Sequence, residues 1–320
     1  MLQKKTELTM TDIKPVDNTE VSVKSVSDKT ENTVVSSWHL KEVPEMSDKL
    51  FGQWVDLVEL RTGIRISEAR KSFLLTKLSI RMREIKLDDY QKYYEFVSDK
   101  RRGQVEWETL VDRLTIHETR FWRDKSTFDL IEKEYIDKNN LANNNRLDLQ
   151  VWSVGCATGE EPYSIAMWFE HYCMMNNIEN RQGVHATDIS LDALATARSG
   201  VYTESRLTEL PGQFKNYYFQ KQSNNKFKIN KNLKERVCFT KLNLLNVESF
   251  PFSNFDIIVC QNVMIYFDQE LRIRLLNTFA EYLKLGGILI LGAGEMVGWN
   301  HPKMESVNFE STLAFRRAYE

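Results

Sequence analysis

The sequence predicts an α/β protein: a doubly wound, Rossmann-like domain that follows an all-α domain and carries a small antiparallel β subdomain. Three observations predict it. From residue 146 onward, short apolar or β-branched runs (LQVWSV, GVHATD, FDIIVC, GGILILG) alternate with helical stretches, the texture of buried parallel strands joined by crossover helices. Residues 46–137 are nearly free of Gly and Pro and show helical periodicity instead. Residues 216–242 alternate with period two about a Ser-Asn-Asn turn, which reads as a hairpin or three-stranded flap inserted in the sheet domain.

Taken in order, residues 1–45 are rich in Ser, Thr, Val, Lys and Asp, have no period, and read as a disordered tail. Order is expected from Ser47. In EARKSFLLTKLSIRMREI, Leu75, Leu78, Met82 and Ile85 form an apolar stripe at helical spacing. Arg70, Lys77 and Arg81 fall at i, i+7 and i+11, within about 40° of one line on the opposite side. That basic face is either a solvated surface or a site for an acidic partner. In the sheet domain, 146–320, helices are expected over 161–175, 190–199 and 269–285, the last stopped by Gly286-Gly287.

Composition narrows the function. The chain has 320 residues, 42% hydrophobic and 28% charged, with a net charge of -2, so a broad nucleic-acid footprint is not expected. The start MLQKKTELTM lacks the apolar segment of a signal peptide. Runs such as Ile288 to Leu291 are too short to enter a bilayer, so no membrane insertion is expected. Cys156, Cys173, Cys238 and Cys260 form no CxxC pair and read as reduced thiols of a cytoplasmic protein. The five histidines show no metal-ligand spacing, and no metal is expected.

The chemistry starts at VWSVGCATGEEPYSIAM. A strand, a glycine loop and a helix in that order make a nucleotide-cofactor site, with Gly155 and Gly159 allowing close approach of backbone to ligand. A phosphate would sit at the helix N-terminus, but Glu160 and Glu161 stand there and would repel it. The spacing Gly155-x-x-x-Gly159 also departs from GxGxxG. A phosphate-free, cationic cofactor fits better, and S-adenosylmethionine is the common one. Asp188, ending GVHATD, is placed to accept from ribose hydroxyls, and the Asn243 amide in LNLLN to read the adenine edge. Asn262 and Tyr266 lie just past FDIIVC, where ligands bind in open α/β sheets. In RLTIHETRFWRDKSTF, an Arg among aromatics with Thr and His nearby suggests a cleft.

Together and in this order, TGIRISEARKSFLLTKLSIRMREIKLDDY, LTIHETRFWRD, WSVGCATGEEPYSIAM, ARSGVY, LNLL and FDIIVCQNVMIYFD resemble the CheR-type chemotaxis receptor methyltransferases, over residues 50–320. The resemblance implies a class I S-adenosylmethionine-dependent methyltransferase domain, a helical receptor-facing domain, and methyl transfer to chemoreceptor glutamates, with S-adenosylhomocysteine as product. His117, Thr119, Arg123, Glu161, Asp188, Asn243, Leu244, Gln261 and Asn262 would line the cofactor. Arg123 and Tyr266 would sit closest to the transfer, and Arg70, Lys77 and Arg81 would meet the receptor's helical bundle. A monomer is expected. His117 stands where the family has an Asn, a variant that resembles the branch serving type IV pilus systems. The flap loop Lys221 to Lys226 is short and lacks glycine, so capture of a receptor tail is not expected. A non-catalytic cofactor-binding scaffold and a methyltransferase acting on RNA or a small molecule are the competing readings.

Overall fold

Ser47 opens the first helix. Its hydroxyl accepts from the Leu50 amide, and α1 (Asp48–Thr62) runs to Gly63, left-handed at φ 74°. The computed structural model describes residues 45–139, 141, 145–296, 298–309 and 312–319. The expected disordered tail thus lies outside the described residues but for its last position. A 3-10 turn (Glu68–Arg70) leads into α2 (Lys71–Glu84), followed by α3 (Tyr90–Ser98) and α4 (Gln104–Leu114). Trp54, Val58, Leu74, Leu78, Tyr93 and Leu110 form their common core. The buried stripe of α2 is Leu74, Leu78 and Met82, while Leu75 and Ile85 are only partly covered. The stripe is rotated from the expected one because α2 packs against both α3 and α4.

The helical segment expected to end at 137 divides earlier by packing. In α5 (Lys125–Leu130) and the wide π-helical turn that continues it to Asp137, Phe128, Leu130, Ile131, Tyr135 and Ile136 join the core of the sheet. Those apolar residues serve the sheet, whereas those up to Leu114 serve the helices.

Two short strands, β1 (Arg146–Leu147) and β3 (Glu179–Asn180), pair on their own. The main sheet uses β2 (Gln150–Val154), β4 (Gly183–Asp188), β8 (Val237–Lys241), β9 (Phe255–Cys260), β10 (Leu283–Leu291), β11 (Met304–Phe309) and β12 (Thr312–Arg317). Its order is β11-β12-β10-β9-β2-β4-β8, and β12 alone runs against its neighbours. Successive strand residues feed opposite cores. Val151, Ile257 and Ile288 face α6 (Glu160–Met175) and α7 (Leu191–Ser199); Trp152, Ile258 and Leu289 face α10 (Gln269–Tyr282). This double burial is why these strands read as unbroken apolar runs. From β2 the chain winds to β4 on one side and β9 lies on the other, so the crevice opens over their carboxyl ends.

Two expectations are corrected. The flap is β5 (Val201–Thr203), β7 (Lys226–Ile229) and β6 (Phe219–Lys221), antiparallel in that order, with α8 (Gly212–Tyr218) inside it and α9 (Lys231–Lys234) just after. It therefore begins before 216, and Val237–Lys241, expected in the flap, is the edge strand of the main sheet, paired in parallel with β4. At the sheet edge only Val237 of this strand is buried, so it lacks the unbroken buried run of the inner strands. The last crossover helix stops at Tyr282, and Gly286 and Gly287 lie within β10, where its register to β9 shifts. Cys238 is exposed on that edge strand, and the other three cysteines are buried. Among the described residues, no helix is long and apolar enough to cross a membrane.

Candidate active site

Gly155 (φ 68°), Ala157 (φ 46°) and Gly159 (φ 94°) turn the chain from β2 into α6. A Cβ at Gly155 would lie 2.4 Å from Val263 Cγ2, and one at Gly159 2.8 Å from Ala197 Cβ, so both positions need glycine for space as well as conformation. Asp188 ties this loop to the end of β4. Its Oδ2 accepts from the Ala157 amide at 2.8 Å and its Oδ1 from the Ser190 amide at 2.9 Å. Burial raises its pKa, and those backbone bonds and nearby His117 oppose the shift. Glu161 accepts from Ser153 Oγ at 2.7 Å. Burial pushes its carboxyl up to about 8. Glu160 is fully buried, accepts from Thr158 Oγ1 at 2.6 Å, and pairs with Arg206 at 3.3 Å.

The facing wall is the turn after β9 and the linker after α4. Asn262 has φ 62° and Trp122 φ 61°, both in the left-handed region. For a bulky Trp that is costly and needs support from its surroundings. Its amide donates to Ser164 Oγ at 3.1 Å and its ring packs on Phe128 and Phe214. The strained turn aims the next residue, Arg123, across the cleft. Its Nη2 donates to Asn262 Oδ1 at 3.1 Å and its Nη1 to the Glu118 carbonyl at 3.1 Å. Tyr266 lies half-buried, with the Arg70 guanidinium 5.6 Å from its ring centre. Arg206, from the flap side, holds the linker by donating to the Thr119 carbonyl at 2.6 Å.

These walls enclose two chambers that share Ile116, Gly155, Ala157, Asn262 and Tyr266. The inner one, about 720 Å³, is lined by Asp188, Ile189, Leu244, Phe267 and His117, and among the described residues no Lys or Arg lines it. It suits an uncharged aromatic ring with a hydroxylated sugar and offers nothing to a phosphate. The outer one, about 1090 Å³, combines Glu161 with Arg123, Gln261 and Thr119. A carboxylate with a raised pKa, awaiting a positive partner, complements an ammonium or sulfonium. The donor set therefore fits S-adenosylmethionine.

Of the expected cofactor residues, His117, Asp188, Asn243 and Leu244 line the inner chamber, Thr119, Arg123, Glu161 and Gln261 the outer, and Gly155 and Asn262 both. Tyr266 also borders both. His117 Nε2 sits 2.8 Å from Thr115 Oγ1. Two of the expected residues are constrained by partners within the protein. The Asn243 amide is tied at both ends, its Nδ2 donating to the Arg61 carbonyl at 2.7 Å and its Oδ1 accepting from the Leu245 amide at 3.1 Å, which leaves one N–H and one lone pair for an adenine edge. Arg81 is not a free surface cation. Its guanidinium makes a two-pronged pair with buried Glu106 at 2.7 and 2.8 Å and reaches Glu84 at 2.9 Å. Lys77 lies over Phe73 at 5.4 Å, and Arg70 turns toward the cleft. Sequence reasoning missed Glu295, which is buried and bonded to the amides of Val263 and Met264. Its position just after the glycines that end β10, at the ligand-binding edge of the sheet, was the available signal.

A mostly parallel seven-stranded sheet with one reversed strand, a glycine loop after β2 and an acid ending β4 define the protein as a class I S-adenosylmethionine-dependent methyltransferase. Two family descriptions cover it: CheR methyltransferase, all-alpha domain, over residues 49–115, and CheR methyltransferase, SAM binding domain, over residues 117–313. The chain belongs to the CheR methyltransferase family. It is similar to the chemotaxis protein methyltransferase of Borreliella burgdorferi, 35% identical over 249 residues, covering 77% of this chain and 87% of that protein. The Escherichia coli chemotaxis protein methyltransferase is 31% identical over 253 residues, covering 78% and 85%. Among solved structures, an O-methyltransferase family protein from Burkholderia thailandensis is similar at TM-score 0.36 and 12% identity, covering 71% of this chain and 62% of that one.

Proposed function

We propose that the protein methylates glutamate side chains on the cytoplasmic helical bundle of chemoreceptors, with Arg123 and Tyr266 at the point of transfer. The observation that carries this reading is Arg123: exposed, held by Asn262 and the Glu118 carbonyl, and standing in the outer chamber beside the wall it shares with the inner one. Bound across the two chambers, S-adenosylmethionine supplies an electrophilic methyl group on a good leaving group. A glutamate acceptor has an ordinary pKa of about 4.3 and is already ionised at neutral pH, so the protein need supply no general base. Its task is to place a carboxylate oxygen in line and to keep water out. The Arg123 fork suits an incoming carboxylate. Asn262 fixes that fork, and Tyr266 walls the approach. Asp188 would hold the ribose hydroxyls and Glu161 the cationic part of the ligand.

Arg70 and Lys77 form the receptor-facing cations in this proposal, and they would steer an acidic helical surface toward the cleft. Arg81 has no part in it. The reading is tested by incubating the purified protein with radiolabelled S-adenosylmethionine and membranes carrying the organism's own chemoreceptors. Label released as a methyl ester by alkali is expected. Cofactor binding without label on any receptor overturns the acceptor assignment.

A further inference from the structure

We propose that Glu295 is a positioning residue for methyl transfer: from behind the cleft it sets the turn that carries Asn262 and Tyr266. The inference rests on the role given to that turn above. Glu295 is 3% exposed and, among the described residues, lines neither chamber. Its Oε1 accepts from the amides of Val263 at 2.7 Å and Met264 at 3.0 Å, and its Oε2 from the Gly292 amide at 2.7 Å. Three backbone donors thus engage both oxygens of this one side chain. It joins the carboxyl end of β9 to that of β10.

The turn needs such a hold. Asn262, next to the two bonded amides, takes the left-handed backbone that Asn tolerates better than other side chains, and the two bonds to Glu295 hold the tight turn that follows it. A second observation shows how closely the carboxylate is seated. A Cβ on Gly292 would lie 2.5 Å from Glu295 Oε2. Arg272 closes the arrangement by donating to the Phe267 carbonyl at 2.9 Å and to the Glu295 carbonyl at 3.3 Å. On the far side Gly155 leaves room only for Val263. The turn is thus fixed between the glycine loop in front and Glu295 behind, and a displaced carboxylate moves Asn262, and with it Arg123.

Two substitutions in the full chain test this by different routes. Glu295→Gln keeps the shape but sets an amide N–H against a backbone N–H. Gly292→Ala keeps the carboxylate and displaces it. Both are expected to lower kcat on receptor about 30- to 100-fold, with receptor KM and S-adenosylhomocysteine affinity changed less than about threefold. Both are also expected to speed hydrogen exchange at the Val263 and Met264 amides while thermal melting stays cooperative. If Glu295→Gln does not fold, Gly292→Ala carries the same readouts. Unchanged kcat, or a loss confined to KM, overturns the proposal. Should the wild-type protein label no receptor, the functional reading fails, and exchange still decides: wild-type protection in both variants overturns the hold of Glu295 on the turn.

Discussion

The two walls of the cleft are built on different terms. On the cofactor side the polar groups already have protein partners: Asp188 holds the Ala157 and Ser190 amides, Asn243 the Arg61 carbonyl, Glu161 the Ser153 hydroxyl. On the acceptor side the groups nearest solvent are exposed Arg123, held by Asn262 and the Glu118 carbonyl, exposed Ile265 and half-buried Tyr266, and the Arg70 guanidinium lies against the Phe73 and Tyr266 rings. The first wall is preorganised for one small ligand. The second keeps a positioned cation, Arg123, exposed where a macromolecule can reach it. The difference teaches that burial separates the two tasks within one cleft. It predicts that mutations on the acceptor wall change turnover and receptor affinity, whereas those on the cofactor wall change ligand binding.

The sharpest break would be at Arg123. Arg123→Ala is expected to lower kcat by about 100-fold or more with little change in cofactor affinity, read by single-turnover kinetics and calorimetry. A normal rate would remove Arg123 from the transfer. Next in size is Arg81, which belongs to neither wall. Its loss leaves the buried Glu106 carboxylate without its cation and with the Tyr93 hydroxyl as its remaining donor among the described residues, so Arg81→Ala is expected to destabilise the fold by about 3 kcal/mol in a denaturant titration. A normal stability with a raised receptor KM would return Arg81 to the receptor surface.

Glu161 sharpens the comparison through pH. Its folded pKa of about 8 stands above the ordinary carboxylate value, so the folded protein holds a proton there that the unfolded chain releases. Its contribution to stability is therefore fullest below about pH 4.3 and fades as pH rises to about 8. A cationic ligand favours the ionised form. Affinity for S-adenosylmethionine is expected to rise by up to about tenfold per pH unit toward pH 8 and then level off, with proton release seen by calorimetry in two buffers. Glu161→Gln should flatten that profile; the same slope in the variant sinks the assignment. The smallest effect is expected at Lys77, which lines neither chamber. Lys77→Glu should raise receptor KM about fivefold at low salt, less at high salt, and leave cofactor binding alone.

What could be read from the sequence follows the range of the interactions. Strands such as FDIIVC were legible because every residue is buried, and the glycine loop because its chemistry is local. The edge strand VCFTK was not, because only its first residue is buried and a partly exposed strand reads the same in a hairpin and at a sheet edge. The misread site residues depend on distant partners. Asn243 bonds a carbonyl 182 residues away, Glu295 amides 31 and 32 away, and Arg81 a carboxylate 25 away. A one-dimensional pattern gives residue type and face, not which donor arrives from elsewhere in the chain.

The cysteines carry a practical consequence. Burial raises the thiol pKa of Cys156 and Cys260 well above the usual range and that of Cys173 to about 11, so at neutral pH these three are nearly inert to alkylation. Cys238 is exposed on β8, in register with His185 of β4, the strand that ends at Asp188. The native chain therefore has one readily addressable thiol, and a maleimide dye can be attached near the amino end of the edge strand, away from the cleft, without any residue of the machinery being changed.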